Sequence, residues 1–163
     1  MAEIRILTPD DWALWRQLRL AGLAEAPSVF GSRLADWQGE GDREERWRAR
    51  LGIPGARNVV AVLAGRPAGM ASGVPAADGC GAELISMWVA PHARGHGVGD
   101  QLIKAVESWA RQVGAPALRL AVRPGNSHAI ALYERHGFTD TGQSVELMPD
   151  GVHRERVMEK KLS

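Results

Sequence analysis

The sequence predicts one mixed α/β domain with a strand–helix–strand unit at its centre. Three observations carry that expectation. From Val98 to Val113 the apolar residues Val98, Leu102, Val106, Trp109 and Val113 recur at helical spacing. Upstream, Glu83 to Ala90 has the composition of a strand and is stopped by Pro91. Downstream, Leu118, Leu120 and Val122 alternate with Ala117, Arg119 and Ala121, a period of two.

The other elements follow in chain order. Glu3 to Leu7 reads as a first strand. Thr8-Pro9-Asp10-Asp11 is a helix start, with Thr8 as cap, proline in the first turn and two aspartates at the positive end of the dipole. The helix behind it carries Trp12, Trp15, Leu18, Leu20 and Leu23, with both tryptophans as core anchors. Pro27 to Asp42 reads as a loop with a short helical turn, and Arg43 to Leu51 as a second, highly charged helix. Val59–Ala64 and Ala68–Val74 form a hairpin turning at Gly65-Arg66-Pro67, and Pro75 to Gly81 is a small-residue loop. Gly114 caps the central helix, with Pro116 beyond it. A short helix from Ser127 to His136 ends at Gly137. Gln143–Met148 and His153–Lys161 are the last strands, joined at Pro149-Asp150-Gly151. No repeat, linker or low-complexity tract divides the chain.

Composition excludes several classes of function. At 163 residues the chain buries about two-thirds of its unfolded surface, so its core needs no metal or disulfide. Twenty basic side chains against 19 acidic ones give no electrostatic reason for a nucleic-acid partner. Cys80 is the only cysteine, so no internal disulfide forms; flanked by glycines, it reads as an incidental thiol. No run of 18 apolar residues and no apolar N-terminal segment occurs, which predicts a cytoplasmic protein without membrane contact.

The segment Arg94-Gly95-His96-Gly97-Val98-Gly99 joins the central strand to the central helix. Glycines at a helix N-terminus let a bulky anion approach the main chain, and Arg94 adds a charged fork. The loop reads as a phosphate cradle. It is not a P-loop, because no Lys-Ser or Lys-Thr follows. It is not a dinucleotide fingerprint either, because the third glycine position falls on Leu102 or Asp100.

Arg94-x-x-Gly97-x-Gly99 resembles the pyrophosphate loop of the GNAT superfamily of acetyl-CoA-dependent N-acetyltransferases. Two neighbours strengthen the likeness: Glu83-Leu-Ile-Ser-Met87-Trp-Val89-Ala-Pro91 upstream, and Asn126-x-x-Ala129-x-x-Leu132-Tyr133-x-x-x-Gly137-Phe138 downstream. The resemblance implies the GNAT fold: a mixed, mostly antiparallel twisted sheet of about seven strands, splayed at its middle, with helices on both faces. It implies acetyl-CoA as co-substrate. Met87, Trp88 and Val89 would lie along its pantetheine arm, and Arg94, Gly95, His96, Gly97, Val98, Gly99 and Asp100 around its pyrophosphate. Asn126 would reach the same arm, cap its helix, or do both.

Acetyl transfer to an amine needs a base for the nucleophile and an acid for the departing thiolate. By the same resemblance Glu83 is the candidate base or substrate ligand. Strict alternation would put it on one face with Ile85 and Met87. Tyr133, the only tyrosine, is the candidate acid and a cofactor contact, its ring turned inward one turn after Ala129 and Ile130. His92 and His96 read as solvated, phosphate-side residues. His128, His136 and His153 have no metal-ligand spacing, so no metal is expected.

The acceptor is open: a small-molecule amine, or an amine of a peptide or protein. Glu25 to Arg46 carries six acidic side chains against three arginines, which predicts a cationic acceptor if that segment lines the site. A CoA-binding sensor without turnover and an acyltransferase for longer chains share the same loop. A homodimer is an expectation by analogy alone.

Overall fold

The computed structural model of the protein describes residues 2–25, 34–77, 79, 81–147 and 154–162. Cys80, His153 and the Pro149–Gly151 turn lie outside these residues, as do residues 26–33 after the first helix. Seven strands form one sheet: β1 (Glu3–Ile6), β2 (Arg57–Leu63), β3 (Arg66–Pro75), β4 (Ala82–Val89), β5 (Ala117–Val122), β6 (Thr139–Leu147) and β7 (Arg154–Lys161). Their spatial order is β1-β2-β3-β4-β5-β7-β6, antiparallel throughout except between β4 and β5. The helices are α1 (Trp12–Glu25), α2 (Glu44–Leu51), α3 (Val98–Gln112) and α4 (Ser127–Arg135).

Alternation along the strands sorts the core into two layers. On β2, Val59 and Ala61 face α3, whose Val98, Leu102, Val106 and Trp109 are buried with Tyr133 and Phe138. Val60 and Val62 face the other way, onto Trp15, Leu18 and Leu23 of α1 and Trp47 and Leu51 of α2. Trp15 is the core anchor expected of it, while Trp12 is half-buried at the margin. The α3 layer comes very close at Gly73 of β3, where an added Cβ would lie 2.4 Å from the Trp109 ring. Only glycine lets that indole lie flat on the sheet.

Three local expectations are corrected and one is met. The β2–β3 hairpin turns at Ala64-Gly65, both at positive φ (52° and 78°), with Leu63 opposite Arg66. Two consecutive positive φ values match the twist of the flanking strands, so the tight turn wins and Pro67 enters β3 beside a bulge. Val113 is exposed, because α3 has ended at Gln112 and the chain is turning at Gly114. Thr8 is the N-cap expected of it, in a capping box with Asp11, whose carboxylate accepts from the Thr8 N–H at 2.8 Å and from its hydroxyl. The strand expected from Gln143 already begins at Thr139.

The feature that matters for function lies at the parallel step. β4 and β5 pair only through Ala82–Leu118 and Glu83–Arg119. Beyond Glu83 the two strands part, and the sheet opens.

Candidate active site

The gap between the diverging strands is a cavity of about 910 Å³. Its walls are residues 84–89 of β4, residues 120–123 at the end of β5, the loop into α3, and one side of α4. Sequence-predicted residues that meet here are Met87, Trp88, Val89, Arg94, Gly95, Gly97, Val98, Gly99, Asp100, Asn126 and Tyr133. His96 does not line the cavity. It is an exposed residue of the turn, between the lining residues Gly95 and Gly97, as a solvated residue of this loop would be.

The rim is made by the loop and the start of α3. Gly97 is the N-cap in left-handed conformation (φ 77°), and a Cβ there would meet nothing within 4 Å. The chain therefore reverses into the helix with its backbone bare toward the cavity. The first N–H groups of a helix have no intrahelical acceptor, and those of Val98, Gly99 and Asp100 are at the wall. Such a rim is suited to a phosphate group. Gly99 has a second reason to be glycine: a Cβ would come within 3.1 Å of Leu132 of α4.

Arg94 is half-exposed and ion-paired to Glu25 at the end of α1, while its Nε donates to the Val89 carbonyl at 3.2 Å. Asp100 accepts from Arg135 (2.8 Å) and meets His136 Nε2 (2.7 Å), and both hold its pKa below the usual carboxylate range. Its job in the structure is to tie the start of α3 to the end of α4. Asn126 caps α4 by accepting from the Ala129 N–H at 3.3 Å, and it also borders the cavity.

Tyr133 reaches the cavity from α4, with its ring edge-on to Phe138 at 5.9 Å. Burial pushes its hydroxyl well above the ordinary tyrosine value. It therefore keeps its proton throughout the physiological range.

Glu83 is where the expectation from alternation fails. Met70 of β3 pairs with Trp88 but Ser72 pairs with Ile85, so β4 carries a bulge at Ser86 and Met87. Ser86 has φ 55°, a left-handed conformation rare for a residue with a side chain. The extra residue flips the strand. Leu84, Met87 and Val89 pack in the α3 layer, whereas Trp88 packs in the α1/α2 layer. Glu83 thus lies on the face opposite Met87, outside the cavity wall, on the side of α1 and α2.

Sequence reasoning missed a buried polar cluster on that side. Arg19 of α1 donates to Ser86 Oγ at 2.9 Å, and Arg50 of α2 donates to the same oxygen at 3.2 Å. Arg50 also donates to Ser72 Oγ and Asn58 Oδ1, each at 3.0 Å. A signal for it exists in the sequence. Trp15, Arg19 and Leu23 stand four apart, which places an arginine in the middle of an apolar stripe.

Among the described residues no group of three or more His, Cys, Asp or Glu could hold a metal, and no helix is long and apolar enough to cross a membrane.

The decisive comparison is with the acetyltransferase (GNAT) family, whose sequence profile matches residues 21–138. The chain belongs to the GNAT acetyltransferase family. An IAA acetyltransferase from Azospirillum brasilense is 34% identical over 100 residues, which are 61% of this chain and 65% of that protein. The chain thus spans less than two thirds of that relative, and 40% of the length of two further curated ones. Among solved structures, a ribosomal-protein-alanine N-acetyltransferase from Brucella melitensis superposes with TM-score 0.78 at 24% identity, over 98% of this chain and 99% of the other. A PaiA N-acetyltransferase from Thermoplasma acidophilum, solved with coenzyme A, gives TM-score 0.76 at 19% identity, over 99% of both chains. These likenesses show the fold. The GNAT sheet, seven-stranded and mostly antiparallel, is the architecture described above.

Proposed function

We propose that this GNAT protein transfers the acetyl group of acetyl-CoA to an amine by direct attack, with both substrates bound at once. The observation that carries the reading is the opening between β4 and β5, with the bare backbone of Gly97 at its rim and Tyr133 inside it. The residues fit the co-substrate. A positive-φ glycine with open space in front of it suits a pyrophosphate. Beyond Glu83, β4 has no ladder partner in β5, so its backbone groups on that side suit an extended arm of amides.

Acetyl-CoA supplies an activated acyl group and a thiol leaving group. The chain's own residues do the rest. Residues 97–100 and Arg94 hold the phosphates; for that, Arg94 exchanges Glu25 for the ligand. Met87 and Val89 hold the arm against β4, and Asn126 borders it. Tyr133, at the wall of the cavity, gives its proton to the leaving sulfur. Glu83, on the α1/α2 face, takes a proton from the incoming amine, directly or through water.

The amine enters from the α1/α2 face, because α3 and α4 wall off the other. The test is incubation with acetyl-CoA and a panel of amines, followed as free thiol release. Thiol release that depends on an amine supports the reading. Binding of acetyl-CoA with no release for any amine makes the protein a sensor.

A further inference from the structure

The acidic residues counted between Glu25 and Arg46 do not make the cavity negative. Glu25 is held by Arg94, Asp42 by Arg16 at 2.6 Å and Glu44 by Arg48 at 2.8 Å, and Glu45 faces Arg43 at 3.9 Å. None of these four acids lines the cavity. The arginines and aspartates that do line it are Arg94, Asp100, Arg123 and Arg135. Three of them are matched already, Arg94 by Glu25 and Asp100 with Arg135. Arg123 is half-buried, and its guanidinium has no hydrogen-bond, ion-pair or ring partner among the described residues. The wall carries one uncommitted cation.

Its place on the sheet decides which ligand it faces. β5 pairs with β7 in unbroken register from Ala117 to Val122, so alternation holds along it. Leu118, Leu120 and Val122 pack in the α3 layer. Arg119 lies on the opposite face, where it meets Glu159, and Arg123 is at an alternate position of that same face. The helix start that suits the phosphates belongs to the α3 side, and Arg123 does not. The cavity takes lining residues from both faces here, Leu120 and Val122 from one, Ala121 and Arg123 from the other. The core beneath α1 and α2 draws on β2, β3 and β4 but on no residue of β5, and Ala121 is exposed. This end of β5 is therefore open on the face from which the amine enters.

We propose that Arg123 binds an oxyanion of the acceptor, so that the acceptor is a small molecule carrying a carboxylate or a phosphate a few bonds from its amine. This rests on the acetyl-transfer reading above and names the acceptor class for it. Arg123 stands four residues past Arg119, and Met87 four past Glu83, where Glu83–Arg119 is the last paired step of the two strands. With the phosphates at the rim beyond Val89, the arm runs toward that closed end, and its acyl end comes level with Arg123. An oxyanion seated on the guanidinium fork then brings the amine to the acyl carbon. The fork gives two parallel hydrogen bonds to either oxyanion, and a half-buried cation without a protein partner gains by being completed. In the attack the nitrogen bonds to the acyl carbon and the C–S bond breaks. The amine proton goes to Glu83, and the sulfur takes one from Tyr133. Arg123 sets the position and the choice of acceptor. That acceptor is anionic at one end, not cationic as a whole.

The experiment uses the whole protein and acetyl-CoA with matched acceptors, amino acids beside their carboxamides and phosphoethanolamine beside ethanolamine. Thiol release gives kcat and KM for each, and calorimetry gives the affinity for acetyl-CoA. The best oxyanion-bearing amine is expected to exceed its partner in kcat/KM by about 10-fold or more. The pair that shows the preference tells carboxylate from phosphate. Arg123→Met should remove most of the preference by raising KM for the anionic acceptor, with its partner and the acetyl-CoA affinity little changed. Arg123→Lys, which keeps the charge but not the fork, should restore part of it. Equal kcat/KM within every pair overturns the inference, as does binding of acetyl-CoA with no release from any member. So does an equal loss on both members of a pair in Arg123→Met, or a loss of acetyl-CoA affinity there, which would assign Arg123 to packing or to the co-substrate. A parent protein that binds no acetyl-CoA removes the reading beneath it instead.

Discussion

Replacing Gly97 with valine changes two things that the structure allows to be weighed separately. The first is backbone strain. A side chain at φ 77° costs about 1–2 kcal/mol, and no packing penalty is added because the Cβ site is open for 4 Å. For a domain of this size that is a fall in Tm of about 2–8 °C, with the fold intact. The second is the cradle. A branched side chain there stands where the pyrophosphate would approach the N–H groups of α3. Losing one or two charge-assisted hydrogen bonds of about 1.5–3 kcal/mol each weakens acetyl-CoA binding by about 10- to 10⁴-fold. The assay is thermal unfolding without ligand beside calorimetric titration with acetyl-CoA. Gly73→Ala is the control: its methyl would meet the Trp109 ring at 2.4 Å, and such overpacking costs about 1–3 kcal/mol far from the rim. It should unfold earlier than the parent yet bind normally. If Gly97→Val binds acetyl-CoA as tightly as the parent, or if Gly73→Ala loses as much affinity, the cradle argument is wrong.

Tyr133→Phe keeps the ring against Phe138, so Tm should change little while kcat falls by about 10²–10⁴-fold. An unchanged kcat removes Tyr133 from the proton path. Glu83→Gln should lower kcat over a similar range without weakening acetyl-CoA binding, since Glu83 stands off the cavity wall; normal turnover would leave it a strand residue only. Asp100→Asn tests the tie between α3 and α4 by pH. Arg135 and His136 depress the Asp100 pKa in the folded state, so its contribution is present above the unfolded carboxylate pKa and lost as pH falls through the folded one. With the side chain one-third exposed, the loss at pH 7 should be about 1 kcal/mol or less. The gap between parent and variant in urea unfolding should close as pH falls below about 4, and a gap that persists at pH 2 contradicts the ion-pair assignment.

The central elements were legible because their determinants are local. The α3 periodicity, the glycine cap and the strand composition on either side need no knowledge of the partner strand. Tyr133 and Asn126 follow from the same kind of signal, a short helix with a capping residue before it and a glycine after it. Two features were not legible. Arg50 stands in a helix of charged residues that reads as surface, and only its spacing from Trp47 and Leu51 sets it apart. The bulge left no trace at all. Ile85-Ser86-Met87 reads as ordinary strand, and the extra residue exists only relative to the β3 register opposite it. Glu83 was therefore assigned to the wrong face by a rule that holds for a regular strand.

That one irregularity organises the site. In a regular β4, Glu83, Ile85, Met87 and Val89 would share a face; the bulge instead sets Glu83 and Ile85 on the face opposite Met87 and Val89. With the bulge, Ser86 turns its hydroxyl to Arg19 and Arg50 while Met87 turns to the α3 layer. The two side chains thereby meet different layers of the core, one polar and one apolar. The parting of β4 from β5 begins at the adjacent turn of chain, just past Glu83, and frees the backbone on which the arm would lie. The positive φ of Ser86 costs about 1 kcal/mol or more. The hydrogen bonds that the Ser86 hydroxyl accepts from Arg19 and Arg50, about 1 kcal/mol or more each, offset that strain.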